Sequence, residues 1–249
     1  MISNIPAIFL LIVSGCLISS SYSLSPPSNY TWPQNSKKLC FAAEFDLVLN
    51  VDYLKSDGAK ASAKIPLNGS TYEFYRVSCS TPATVHELTI SMLNGFTNIL
   101  LSFSVDAKNM TSLKKIYGYI TFNDKQTYFT DYAPGLDGVH PFSSNVSLFE
   151  TDRGNSYRCD TKTTVTGFNT TSNVTVTSVE LENLRVQAFA DDTKDFSNYG
   201  VEKVCSADAD KNSNLIPIIV GACLAVLVVV VLVAYLIGRR RNRNGYQSV

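Results

Sequence analysis

Four cysteines, six Asn-x-Ser/Thr sequons and a tyrosine four residues from the end are the groups in this sequence best suited to chemistry. Cys40, Cys79, Cys159 and Cys205 lie in the middle of the chain. In an oxidising compartment an even number of cysteines implies disulfides. Four allow three pairings, and the simplest joins neighbours. Each such bridge closes a loop of roughly 40 to 47 residues, worth ~4 kcal/mol in the chain-entropy model. A zinc site is the competing use. It would need a close Cys-x-x-Cys pair, which is missing, and the chain has only two histidines. The sequons start at Asn29, Asn68, Asn109, Asn145, Asn169 and Asn173. Spread along one portion of the chain, they point to N-linked sugars on a secreted surface. Gly245, Tyr246 and Val249 close the chain. A tyrosine and an apolar residue at this spacing can enter two pockets while the extended backbone adds a strand to a partner's sheet.

No catalytic constellation accompanies these groups. His86 precedes Glu87, but no second histidine completes a metal-binding helix motif, and His140 precedes Pro141 in a turn-rich stretch. Both read as surface or structural residues. There is no Gly-x-Ser-x-Gly elbow and no phosphate-binding glycine loop. Asp191 and Asp192 read as a solvated turn rather than a calcium site. No catalytic residue, metal or cofactor is expected, and the chain does not read as an enzyme.

Two apolar segments must position this chemistry. Leu215 to Ile237 is 23 residues without a charge. As a helix it would be ~34 Å long, enough to cross a hydrocarbon core of about 30 Å. Pro217 is expected in its first turn, where a missing N–H matters least. Ile5 to Ile18 is shorter and leads into the small polar residues Ser19 to Ser23, as in a secretory signal peptide cleaved after Ser23. The 249 residues carry 21 basic and 21 acidic side chains, and only 17% are charged. That balance excludes a strongly basic nucleic-acid binder. It is also uneven. Seventeen basic and all 21 acidic residues precede the apolar helix, leaving −4 there, and Arg239, Arg240, Arg241 and Arg243 place +4 after it. Positive residues beside a membrane segment stay cytosolic, and the signal peptide sends the N-terminal part to the lumen. Both imply a type I single-pass chain. The expected organisation is a signal peptide over 1–23, a short stem over 24–36, a luminal domain over 37–214, a transmembrane helix over 215–237 and a cytosolic tail over 238–249.

The luminal portion reads as all-β. From Phe41 to Tyr53 the odd positions are Phe41, Ala43, Phe45, Leu47, Leu49, Val51 and Tyr53, while Glu44, Asp46, Asn50 and Asp52 fall between them. A period of two marks a half-buried strand. It recurs at Leu88, Ile90 and Met92, at Ile99, Leu101, Phe103 and Val105, and at Ile116, Ile120 and Phe122 around Gly118. Val174 to Leu181 and Leu184 to Phe189 read as two further strands. Asp57-Gly58, Asn68-Gly69, Asn94-Gly95 and Pro134-Gly135 supply turns. Many short strands with polar faces imply antiparallel sheets packed on each other.

Three stretches carry a family resemblance: Gly154 to Cys159, Leu184 to Phe189, and Leu215 to Gly221. Ala234-Tyr235, Gly238 to Arg241 and Gly245-Tyr246-Gln247 extend it to the end of the chain. In these the sequence resembles the lysosome-associated membrane glycoproteins. The resemblance implies a β-prism fold for the luminal domain and disulfides between neighbouring cysteines. It implies a single-luminal-domain member, where the best-known members have two domains joined by a hinge. It also implies that Gly245, Tyr246 and Val249 bind clathrin adaptor medium subunits and route the protein to lysosomes. Val249 is smaller than the Ile, Leu or Phe more usual there, which implies weaker adaptor binding.

These readings converge on a glycoprotein of the lysosomal and late-endosomal membrane, with a transient plasma-membrane pool. It would shield and organise the bilayer, which is its immediate partner, and associate laterally with itself or with a membrane-protein client. The alternative is a sorting chaperone or receptor for another endosomal or vesicle membrane protein. A third use is cell-surface adhesion.

Overall fold

The computed structural model describes residues 28–33, 39–67, 72–79, 84–92, 97–123, 127–170, 174–190 and 199–243. The signal segment 1–23 and the tail signal Gly245, Tyr246 and Val249 lie outside them, as do Asn68, Asn173, Asp191 and Asp192.

Among the described residues, twelve strands form two sheets. The first contains β1 (Ser28–Trp32), β2 (Phe41–Leu54), β3 (Lys60–Leu67), β9 (Ser156–Cys159), β10 (Thr163–Val165), β11 (Val174–Gln187) and β12 (Glu202–Val204). β2 and β11 are its central pair. β1 and β3 share the far edge of β2, and β9 and β10 share the far edge of β11. The second sheet runs in simple order through β4 (Tyr72–Cys79), β5 (Val85–Met92), β6 (Thr97–Val105), β7 (Met110–Phe122) and β8 (Gly138–Asp152). Pairing is antiparallel throughout, except that β12 lies parallel to β9. The all-β expectation holds, with that one parallel pair as the exception.

The core lies between the two sheets. Every odd position from Phe41 to Tyr53 is buried, so the period of two in β2 is the period of burial. Rings meet across the interface: Phe41 of β2 lies 5.6 Å from Phe103 of β6, and Tyr53 lies 5.9 Å from Phe122 of β7. Such edge-on pairs add ~0.5–1.5 kcal/mol each beyond the area they bury.

Three boundaries differ from the sequence reading. The expected stem contains strand β1, pinned because Tyr30 is fully buried between Phe45 at 4.8 Å and Tyr75 at 5.3 Å. The two strands expected over 174–189 are one strand, β11. Leu181 and Leu184 are three apart and would face opposite ways in a regular strand. A register shift between Glu182 and Arg185, with Asn183 at φ 53°, adds the residue that turns both inward. The C-terminal helix α1 (Ser206–Arg243) begins nine residues before the expected Leu215. Pro217 therefore stands in its interior, not its first turn. The helix starts at the edge of the β domain, where the Cys205 carbonyl accepts the N–H groups of Asp208 at 3.2 Å and Ala209 at 3.1 Å. Within α1, Val220–Arg239 has a mean hydropathy of 3.1 and is not buried by the rest of the protein. It is the transmembrane helix, and Cys223 within it is an exposed free thiol.

Candidate functional site

The four sequence-predicted cysteines form two disulfides between neighbours. Cys40–Cys79 joins the start of β2 to the end of β4, with Cα atoms 6.4 Å apart. It is a covalent tie between the two sheets. Cys159–Cys205 joins the end of β9 to the residue before α1, with Cα atoms 5.2 Å apart. It fastens the root of the transmembrane helix to the β domain.

A second fastening at the same place escaped the sequence reading. Asp208, in the first turn of α1, is buried. Its carboxylate accepts the backbone N–H of Asp160, the backbone N–H of Thr161 at 3.0 Å and the Thr161 hydroxyl. A carboxylate in the first helical turn is also favoured by the helix dipole. Nearby, Arg158 bonds Asp160 at 2.8 Å and lies 3.7 Å from Glu202; the Asp160 hydrogen bond holds the guanidinium pKa above its ordinary value. Burial, then the charge of Asp208, pushes the Tyr157 phenol up. Cys159, Cys205 and Asp208 bring ligand-type atoms within 4.8 Å of one another. Both sulfurs are spent in the disulfide, so the group ties chains together and does not suit a metal.

Gln187 forms a third tie. Its buried side chain donates to the Gly154 carbonyl at 2.7 Å and accepts the Gly200 N–H at 2.9 Å. Gly200 packs so tightly that a Cβ there would lie 2.1 Å from the Gly154 oxygen. The bulk of β12 and the start of α1 are thus joined to the sheet by backbone pairing, a side-chain amide, a carboxylate and a disulfide.

Four sequons fall on described residues, and all four asparagines are exposed: Asn29 in β1, Asn109 in the β6–β7 turn, Asn145 in β8 and Asn169 in the bridge to Ser143. Asp106 shapes the turn at Asn109. Its carboxylate accepts the N–H groups of Lys108 at 2.8 Å and Met110 at 2.9 Å, and the Met110 bond leads in lowering its pKa. Asn109 takes φ 63°, a left-handed conformation that asparagine tolerates well.

The two histidines play structural parts. His86 is fully buried, bonded through Nδ1 to the Ala188 carbonyl and stacked 4.0 Å from the Phe189 ring. His140 bonds through Nε2 to the Leu136 carbonyl at 2.7 Å, with its ring edge-on to Phe122. The sequence held a cue for His86, because it shares the parity of Leu88 and Ile90.

Residues 19–205 match the family model for luminal domains of the lysosome-associated membrane glycoprotein 2-like type. Residues 216–247 match the model for the lysosome-associated membrane glycoprotein 2 transmembrane segment. Lysosome-associated membrane glycoprotein 1 of Mus musculus is 32% identical over 241 residues, covering 91% of this chain and 52% of the relative. The Cricetulus griseus protein of that name is 28% identical over 214 residues, covering 84% and 46%. The chain spans about half the length of the curated relatives it matches. Among solved structures, the membrane-proximal domain of mouse LAMP-1 superposes with a TM-score of 0.56 at 20% identity, covering 74% of this chain and 99% of that one. The membrane-distal domain of mouse LAMP-2 gives 0.55 at 18% identity, covering 73% and 98%. The fold of the β domain is the one these two domains share.

Proposed function

Because the chain belongs to the lysosome-associated membrane glycoprotein family, we propose that it is a type I glycoprotein of the lysosomal and late-endosomal membrane. Its β domain stands in the lumen, carries N-linked sugars and shields the bilayer from hydrolases. Support comes above all from one juxtaposition: a family β domain with exposed sequons is fastened by Cys159–Cys205 and Asp208 directly to an apolar helix. The fastening keeps a sugar-bearing domain close to the membrane surface, as a coat requires. Disulfides also suit a compartment rich in proteases, since they limit the unfolded chain that a protease can cut.

The short tail serves delivery in this reading. Arg239, Arg240, Arg241 and Arg243 hold it at the cytosolic face, each attracted to anionic lipid by ~1 kcal/mol. Gly245, Tyr246 and Val249 offer an extended peptide to the clathrin adaptor medium subunits. No catalytic role is assigned to any residue. The test is Tyr246→Ala in the full chain, imaged beside a lysosomal marker with surface biotinylation in parallel. Loss of lysosomal signal and a rise at the cell surface are expected. Unchanged delivery overturns the sorting assignment, and a wild-type chain resident elsewhere overturns the lysosomal one.

A further inference from the structure

Two sequons well apart in sequence meet at the edge of β8 that faces away from β7. Asn169 exchanges two backbone bonds with Ser143 there. The Ser143 N–H donates to the Asn169 carbonyl at 3.2 Å, and the Asn169 N–H donates to the Ser143 carbonyl at 2.8 Å. Residues that exchange both bonds stand directly opposite each other, with side chains on the same face of the sheet. The preceding residues show which face that is. Phe142 and Phe168 are both buried, and their rings meet at 5.8 Å, so Ser143 and Asn169 point to solvent. Asn145 lies two residues beyond Ser143 in β8, with the buried Ser144 between them, and is exposed on that same outer face. Asn145 and Asn169 are therefore diagonal neighbours across one antiparallel pair, about 7–8 Å apart at Cα. Ser143, the residue that links them, is small.

An N-linked sugar is bulky and sits on the surface. Two glycans rooted this close, on one face, stand side by side from their first rings outward. A trimming glycosidase has to take a branch into a concave pocket that encloses most of it. A second glycan beside the first occupies space that such an enzyme needs. We propose that Asn145 and Asn169 form a paired glycan site, in which each sugar shields the other from mannose trimming, so that the β8 edge keeps oligomannose chains where a lone sequon is matured. Asn29 provides the comparison, because it lies in β1 of the other sheet, opposite Glu44. The pairing rests on the glycoprotein reading above and adds to it the composition of the sugar at one place on the domain.

The test is glycopeptide mass spectrometry on the full chain, purified in detergent from cells that build complex-type glycans. The parent carries Asn173→Gln, which removes the sequon four residues after Asn169. Ser147→Ala and Thr171→Ala each cancel one member of the pair while leaving its asparagine in place. In the parent, the oligomannose fraction at Asn145 and Asn169 is expected to be several-fold above that at Asn29. Ser147→Ala should bring Asn169 down to the Asn29 level, and Thr171→Ala should do the same for Asn145. Mature sugar at Asn29 shows in each case that the chain folded and passed the trimming enzymes. If Asn29 stays untrimmed in any chain, the purified proteins are treated with an α-mannosidase in detergent. Trimming at Asn145 and Asn169 should then run several-fold slower than at Asn29, and removal of one partner should abolish the difference. A remaining sugar that does not respond to loss of its partner, or equal processing at all three sites in the parent, overturns the pairing and leaves the glycoprotein reading intact. So does a parent that carries sugar at Asn29 but leaves Asn145 or Asn169 bare. A chain without sugar at any sequon overturns both.

Discussion

Asp208 holds Thr161 twice, through its backbone N–H at 3.0 Å and through its hydroxyl. The same carboxylate takes the Asp160 N–H, so the first turn of α1 closes the β9–β10 segment beside the Cys159–Cys205 bridge. Asp208→Ala leaves two backbone donors and one hydroxyl without this acceptor. Hydrogen bonds to a charged group contribute roughly 1.5–3 kcal/mol each at most, and the loss of a buried partner costs about as much. A loss of ~2–4 kcal/mol on the whole is expected from these bonds, read by chemical denaturation of the full chain in detergent. Hydrogen exchange gives the local signature: the Asp160 and Thr161 amides should exchange faster in Asp208→Ala, while the core strand β2 keeps the protection its remaining stability allows. Unchanged exchange at those two amides would show that the disulfide alone holds the segment.

The Cys40–Cys79 bridge predicts a larger effect. It closes 39 residues, which the chain-entropy model converts to about 4 kcal/mol. The double change Cys40→Ser with Cys79→Ser should lower Tm by roughly 8–16 °C for a domain of this size. Because this bridge joins the sheets, the loss should appear as earlier global unfolding in calorimetry. A drop below about 3 °C would mean that β1, packed through Tyr30 on Tyr75, already supplies the connection.

Gly118 makes a steric prediction. A Cβ there would lie 2.0 Å from the Asn98 carbonyl oxygen and 3.0 Å from Phe142 Cζ. Gly118→Ala must therefore move backbone, not merely a side chain, at a cost of about 1–3 kcal/mol or more. Adding Phe142→Leu removes the ring but leaves the Asn98 carbonyl in place. Phe142 is itself a buried core ring, so the double variant should be at least as destabilised as the single one in urea titration, and a rescue would place the clash at the ring alone.

The pattern in the sequence was most readable where burial is one-sided. In β2 the alternation from Phe41 to Tyr53 is an alternation of buried and half-buried residues, broken only at the small, buried Ala42. It was least readable where long-range contacts act against local signals. Pro26, Pro27 and Pro33 suggested a stem, yet Tyr30 finds a pocket formed by Phe45 and Tyr75, residues far away in sequence. The bulge at Asn183 was visible only as a gap between two apolar runs, because three-residue spacing means strand ending or strand bulging according to the partner strand. At the site, cysteines could be found by type alone. Asp208 and Gln187 could not, since a polar residue near a polar stretch carries no mark of the backbone N–H and carbonyl groups that later surround it.

The sequons at Asn109 and Asn145 should differ in when they can be modified. An N-glycosylation acceptor is read as Asn-x-Ser/Thr, so the hydroxyl residue must be reachable together with the asparagine. At Asn109 that residue is Thr111, which is buried and donates its hydroxyl to the Thr151 carbonyl at 3.1 Å across the β7–β8 pair. At Asn145 it is Ser147, which is exposed and merely accepts from Lys114 Nζ at 2.9 Å. Folding therefore hides half of one acceptor and leaves the other open. If unmodified full chain is folded in detergent and then offered to a solubilised oligosaccharyltransferase with its lipid-linked donor, Asn145 should accept sugar and Asn109 should not. Chain reduced and unfolded before the reaction should accept at both. Peptide mapping after each reaction reads the outcome. Equal transfer to Asn109 and Asn145 on the folded chain would mean that the β7–β8 pair opens on the timescale of the enzyme, and that the Thr111 hydroxyl is not held as the structure has it.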